Sequence, residues 1–183
     1  MNPSQLVDYL ANRIIQIERP HPIRVAIDGP DAAGKTTLAQ QLAGPLQAYG
    51  RPVIRASIDG FHNPASIRHS RGGSSPEGYY LDSFNYDALT EYLLAPLGPG
   101  GSRLYRLAVF DFKMDSAVRA TELVAEMAEM NAVLLFDGVF LLRSELMVHW
   151  DFTIFVEADF ENWKIVPMLP FASHLFWVYL LVH

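Results

Sequence analysis

The chain has 183 residues, of which 50% are hydrophobic and 19% charged, enough apolar material for one domain with a real core and too much for a disordered chain. Fourteen basic residues stand against 20 acidic ones, a formal charge of −6 that argues against a nucleic-acid backbone as partner. There is no cysteine, which excludes a disulfide scaffold, a thiolate metal site and a cysteine nucleophile. The opening residues lack the basic start and apolar core of a signal peptide, so a cytoplasmic protein is expected.

In chain order, Leu6, Val7, Leu10, Ile14 and Ile15 recur at helical spacing and predict an amphipathic helix over 4–18, stopped by Pro20 and Pro22. Residues 1–22 are read as this helix and its linker. Ile23 to Asp28 reads as a strand. A second helix is expected from Lys35, with Leu38, Leu42 and Leu46 on one face and a break or kink at Gly44-Pro45. Pro52 to Asp59 is the next expected strand. Residues 60–83, rich in Gly, Pro and Ser, read as a long loop of functional character. A short helix is expected over 85–94, extended chain over 102–112 and a helix over 117–130. The apolar runs before Asp137 and before Asp159 read as two further strands. Strands alternating with helical patterns indicate an α/β protein: three layers, with a mostly parallel central sheet flanked by helices.

Gly29 to Thr36, GPDAAGKT, satisfies the spacing G-x-x-x-x-G-K-[ST]. Glycines allow a tight turn whose N–H groups face phosphate oxygens, and the following helix adds its positive end. The expected nucleotide-binding residues are Gly29, Pro30, Asp31, Ala32, Ala33, Gly34, Lys35, Thr36 and Thr37. Lys35 would bring its charge to the β- and γ-phosphates of ATP, and the Thr36 hydroxyl would ligate Mg²⁺. The flanking strand and helix are what this P-loop NTPase arrangement requires.

Nucleotide sites in such sheets lie at the carboxyl ends of the strands. Asp59 and Asp137 both close predicted strands. One is a candidate for the acid that holds Mg²⁺, the other for the acceptor of a hydroxyl proton; each can also merely cap a turn.

The blocks IDGPDAAGKTTLA, ASIDGFHNP, GYYLDSFNYDAL, FDF and LLFDGVFLL followed by WDFTIFVEAD resemble the uridine kinase and phosphoribulokinase group of P-loop kinases, over about residues 23–159. The resemblance implies a kinase domain over 23–160 that uses ATP and Mg²⁺ on a small-molecule hydroxyl, a nucleoside first, with pantothenate or a sugar as alternatives. It assigns Asp59, followed by Gly60, Phe61 and His62, as general base with Lys35 as its catalytic partner, and Asp137, with Thr36, as the acid near the metal. Phe110 stands where the family has Tyr, and Asp115 near an expected His. Phe61, His62, Tyr79, Tyr80, Asp82, Phe110 and Asp111 can line the acceptor pocket, or pack the loop onto the sheet. Arg68, His69 and Arg71 can clamp phosphate charge or lie in a solvated loop. No nucleic-acid or membrane partner is expected.

Residues 161–183 form an atypical tail. From Ile165 on there is no Asp, Glu, Lys or Arg, and aromatic residues crowd together with Pro167 and Pro170. The family continues here with an arginine-bearing lid. Three readings stand: a truncated or frame-shifted end of a longer kinase, which the abrupt change favours; a membrane-associated tail; or a native element that closes the core. In the first case the chain would bind nucleotide and transfer phosphoryl poorly.

Overall fold

A computed structural model of the chain describes residues 2–118, 125–158 and 163–168. Helix α1 (Pro3–Ile15) begins at a capping box, in which Asn2 and Gln5 each accept the other's backbone N–H. Strand β1 (Ile23–Asp28) is followed by α2 (Lys35–Ala48), β2 (Val53–Ser57), a 3₁₀ turn (Ile58–Phe61), α3 (Ala65–Arg68), α4 (Pro76–Asp82) and α5 (Tyr86–Leu89), which runs into a π-helical turn (Thr90–Leu94). Short strands β3 (Leu104–Tyr105), β4 (Phe110–Asp111), β5 (Ser116–Ala117) and β6 (Glu126–Met127) precede β7 (Val133–Asp137), α6 (Ser144–Met147), β8 (Phe152–Ala158) and β9 (Trp163–Met168).

The main sheet has the order β2-β7-β1-β8-β9. Its first four strands are parallel, and β9 runs antiparallel to β8. Side-chain alternation divides the core between its two faces. On one face Ile23, Val25 and Ile27 of β1 and Val133 and Leu135 of β7 meet Leu10 and Ile14 of α1 and Leu38, Leu42 and Leu46 of α2. On the other, Leu134 and Phe136 of β7 and Ile54 of β2 meet Phe61, Leu89, Leu93, Leu97 and Trp150. The helices therefore sandwich the sheet, as the alternating pattern implies.

Four expectations need correction. Helix α2 does not break at Gly44-Pro45: it runs to Ala48, with Leu46 fully buried, and the donor that Pro45 lacks would have faced Gln41, which is solvent-exposed. Strand β2 ends at Ser57, and Asp59 lies on the 3₁₀ turn that follows, where Ser57 Oγ accepts the Asp59 N–H. The loop over 60–83 contains α3 and α4. No helix spans 117–130: β5 pairs with β4 and β6 with β3, and 119–124 lie outside the described residues. The side-chain tie from Tyr105 Oη to Glu126 (2.9 Å) and the backbone bond from Ala128 N to Arg103 O (2.9 Å) favour strand pairing there over intrinsic helix propensity.

Of the tail, 163–168 form the edge strand β9; the remainder, on which the expectation of a missing lid rests, lies outside the described residues. Among the described residues no helix is long and apolar enough to cross a membrane.

Candidate active site

The loop between β1 and α2 needs unusual backbone angles. Gly34 (φ 84°) caps α2 in the left-handed region, Ala32 sits at φ 60°, and Gly29 has φ 150°, where a Cβ would run into the Val156 carbonyl oxygen of β8. Asp28, buried at the end of β1, ties the start of the loop to the segment between β7 and α6: Gly29 N–H donates to its Oδ1 (2.7 Å) and Leu142 N–H to its Oδ2 (3.0 Å). Burial pushes the Asp28 carboxyl above its ordinary pKa, and these two N–H bonds oppose that shift. Lys35 Nζ reaches back across the loop to the Pro30 carbonyl at 2.7 Å.

Because β2, β7 and β1 are adjacent and parallel, their carboxyl ends bring three groups together that are distant in sequence. Thr36 Oγ1, in the first turn of α2, donates to Asp137 Oδ2 at 2.6 Å. Asp137 is buried, and desolvation raises its pKa. Gly138 follows directly, and the Ile58 side chain fills the space where a Cβ would stand, so the turn bearing Asp59 closes on the end of β7. His62 lowers the pKa of the Asp59 carboxyl, with Nε2 3.5 Å from Oδ1.

These groups line one cavity of about 390 Å³: Asp31, Lys35 and Thr36 from the phosphate loop and α2, Asp59 and His62 beyond β2, Asp137 from β7, and Tyr79, Phe84, Phe112 and Val139 as its apolar walls. Tyr79 Oη donates to Asp31 Oδ2 at 2.7 Å, and both residues also line a second cavity of about 450 Å³, walled by Val139, Phe140 and Phe155 on the far side of the loop. A hydroxyl beside a carboxylate is the hard-oxygen pair that suits Mg²⁺, which takes its remaining ligands from phosphate and water. Among the described residues no three His, Asp or Glu side chains converge as a self-sufficient metal cage.

The remaining residues singled out in the sequence separate into two groups. His62 and Tyr79 line the main cavity with the phosphate loop. Phe61 is fully buried and packs against Phe136, and Phe110 is buried too. Tyr80 packs edge-on against Phe140 and under the Arg143 guanidinium. Asp82 accepts from Arg71 at 2.7 Å, and Asp111 accepts the N–H groups of Lys113 and Met114. These five do not line the cavity. Arg68 pairs with Asp115 at 2.8 Å and lies over the Phe112 ring, while Arg71 also meets Glu77, so both loop arginines have carboxylate partners.

No family model matches the chain, and no curated protein matches it in sequence. Solved structures do. A protein described as a possible uridine kinase from Bacillus stearothermophilus matches with a TM-score of 0.73, covering 88% of this chain and 84% of its own at 23% identity. A protein described as a putative fructose transport system kinase from Silicibacter sp. TM1040 matches at 0.66, covering 88% and 77% at 25% identity. The chain has the fold of the P-loop kinases. D-glycerate 3-kinase from Cryptococcus neoformans shares it more distantly, with a TM-score of 0.54 over 77% of this chain and 53% of its own at 16% identity.

Within this P-loop kinase fold, four contributors to the site are not among the residues that the sequence singles out. Asp28 was visible as the acid directly before the phosphate loop. Phe112 closes the FDF block, one residue beyond Asp111. Phe84 and Val139 carry no local signal and reach the cavity only through the packing of α4 and the β7 loop.

Proposed function

We propose that this chain transfers the terminal phosphoryl group of ATP to a hydroxyl of a small molecule, with a nucleoside as the first acceptor to test and pantothenate or a sugar as alternatives. One observation carries the reading: the phosphate loop, the Thr36–Asp137 pair and Asp59 converge on a single cavity large enough for the reacting groups. The likeness to kinases of small molecules supports it.

In this reading residues 29–37 cradle the phosphates, and Lys35 steadies the β- and γ-phosphoryl oxygens. Thr36 and Asp137 would hold Mg²⁺, which when bound would neutralise charge on those oxygens. His62 and Tyr79 border the acceptor, and Asp59 faces its hydroxyl. As the acceptor oxygen bonds to the γ-phosphorus, its proton passes to Asp59 and the bond to the ADP oxygen breaks. Catalysis is then positioning together with charge neutralisation.

A second reading, nucleotide binding with little transfer, is favoured by the paired state of Arg68, Arg71 and Arg143, each held by a carboxylate. Acceptor-dependent ADP release separates the two. The kinase reading requires ADP release that rises with acceptor and is lost in Asp59→Asn while ATP still binds; ADP release indifferent to every acceptor would favour the second.

A further inference from the structure

The Asp59 side chain is 75% exposed, and an exposed carboxylate of this kind samples several rotamers unless something anchors it. His62, three residues on, is 11% exposed and held by Phe84, Phe112 and Ser83 while one edge faces the cavity. Its ring stacks on Phe112 (centroids 4.3 Å apart, 29° between planes) and packs against Phe84 at 4.6 Å. Its Nδ1–H donates to the Ser83 carbonyl at 3.2 Å, which fixes the ring's rotation and leaves Nε2 facing Asp59 Oδ1 at 3.5 Å. Phe112 is itself held from the loop by the Arg68 guanidinium at 4.7 Å from its centroid.

We propose that His62 is the positioning residue of Asp59: as an imidazolium, with Nδ1–H on the Ser83 carbonyl and Nε2–H toward Oδ1, the clamped ring holds Oδ1 and leaves Oδ2 for the acceptor's proton. This rests on the reading of Asp59 as proton acceptor. The same contact is the largest influence on the Asp59 carboxyl and lowers its pKa. Lys35 lowers it further, partial burial opposes both, and the other titratable groups facing it are Asp137 and Tyr79. Loss of His62 therefore moves protonation of Asp59 to higher pH.

Two variants test this in the full chain. His62→Phe keeps the aromatic stack and removes Nε2; His62→Gln offers an amide N–H in its place. With uridine, cytidine, fructose and pantothenate offered in turn with Mg-ATP, His62→Phe is expected to lower kcat by about ten- to a hundredfold. KM for ATP should stay unchanged, and the acid limb of kcat should move to higher pH. His62→Gln should recover most of the lost kcat. Without any acceptor, the His62 Nε2 signal in long-range ¹H–¹⁵N spectra should shift in Asp59→Asn and hold still in Asp111→Asn. An Nε2 signal indifferent to Asp59→Asn overturns the proposal, as does a His62→Phe protein with wild-type kcat and an unmoved acid limb. Equal impairment of the Phe and Gln variants with no shift of that limb also overturns it, since only packing would then have been lost. Full turnover in Asp59→Asn would instead remove the general-base reading, an outcome separable from the spectra.

Discussion

The Thr36 hydroxyl donates a 2.6 Å hydrogen bond to Asp137 Oδ2 across 101 residues of chain. The bond exists because β1 and β7 are parallel neighbours in register, Ile27 beside Asp137, so that the strand-end acid meets the first turn of the helix leaving β1. Thr36 and Asp137 together form the pair of oxygens proposed for Mg²⁺.

Asp137→Asn should therefore remove most of the gain in ATP affinity that Mg²⁺ confers, at least about tenfold, while affinity in EDTA changes little. Calorimetric titration with and without the metal measures both. Because burial raises the Asp137 pKa, lowering the pH favours its protonated form and weakens the metal-dependent gain. The same titration in buffers of different ionisation enthalpy should detect proton release on metal binding at mildly acidic pH. Release that persists in Asp137→Asn would assign the proton elsewhere.

Lys35→Ala should weaken ATP binding by roughly ten- to a hundredfold, the usual consequence of losing a charge-assisted contact to phosphate. A fluorescent ATP analogue displaced by unlabelled ATP gives the number. Affinity within twofold of wild type would show that the ammonium, which lies on the Pro30 carbonyl at 2.7 Å, does not serve the phosphates.

Much of this architecture was legible beforehand, for definable reasons. Strand β1 has the ends its sequence predicts, because a run that is apolar except for Arg24, buried on both faces, stops at Asp28, where the glycine loop begins. Strand β7 likewise ends at Asp137 as predicted, since Gly138 interrupts a wholly apolar run. The sequence predicts Asp59 on a strand, although the chain turns at Ser57; nothing in VIRASID distinguishes a strand end from a 3₁₀ turn. The residues Ala117, Leu123, Val124 and Met127 fit a helical spacing, yet 117 and 127 pair as strands with distant partners, which local periodicity cannot report. Phe61 and Phe110 lie within blocks shared with the kinases, but spacing alone does not tell a core aromatic from a pocket wall. Both turn to the core.

Away from the site, Asp151 accepts from the backbone and Nε of Arg24 (2.9 and 3.2 Å), and both side chains are almost wholly buried at the far end of the sheet. Asp151→Ala leaves the guanidinium buried without its carboxylate and should destabilise the fold by about 3–5 kcal/mol. Urea unfolding followed by tryptophan fluorescence measures this, and ATP affinity of the folded fraction should be unchanged. A loss below about 1 kcal/mol would mean that water or the Leu94 carbonyl, 3.4 Å from Arg24 Nη1, compensates.

Gly138→Ala places a methyl against the Ile58 side chain and should push the Asp59 turn away from Asp137. The expected signature is a fall in kcat with ATP affinity largely retained, because the phosphate loop itself is untouched. Steady-state kinetics and ATP titration on the same preparation test it; equal losses in both would point to general unfolding instead.

The proposed reaction is phosphoryl transfer to a hydroxyl at the cavity shared by Lys35, Thr36, Asp59 and Asp137. Mass spectrometry of folded protein incubated with Mg-ATP and a panel of nucleosides, pantothenate and sugars tests it most directly. One acceptor should gain a single phosphoryl group with stoichiometric ADP, and Asp59→Asn should abolish that product while still binding ATP. Bound ATP with no phosphorylated acceptor across the panel would contradict the kinase reading and leave a nucleotide-binding protein in its place.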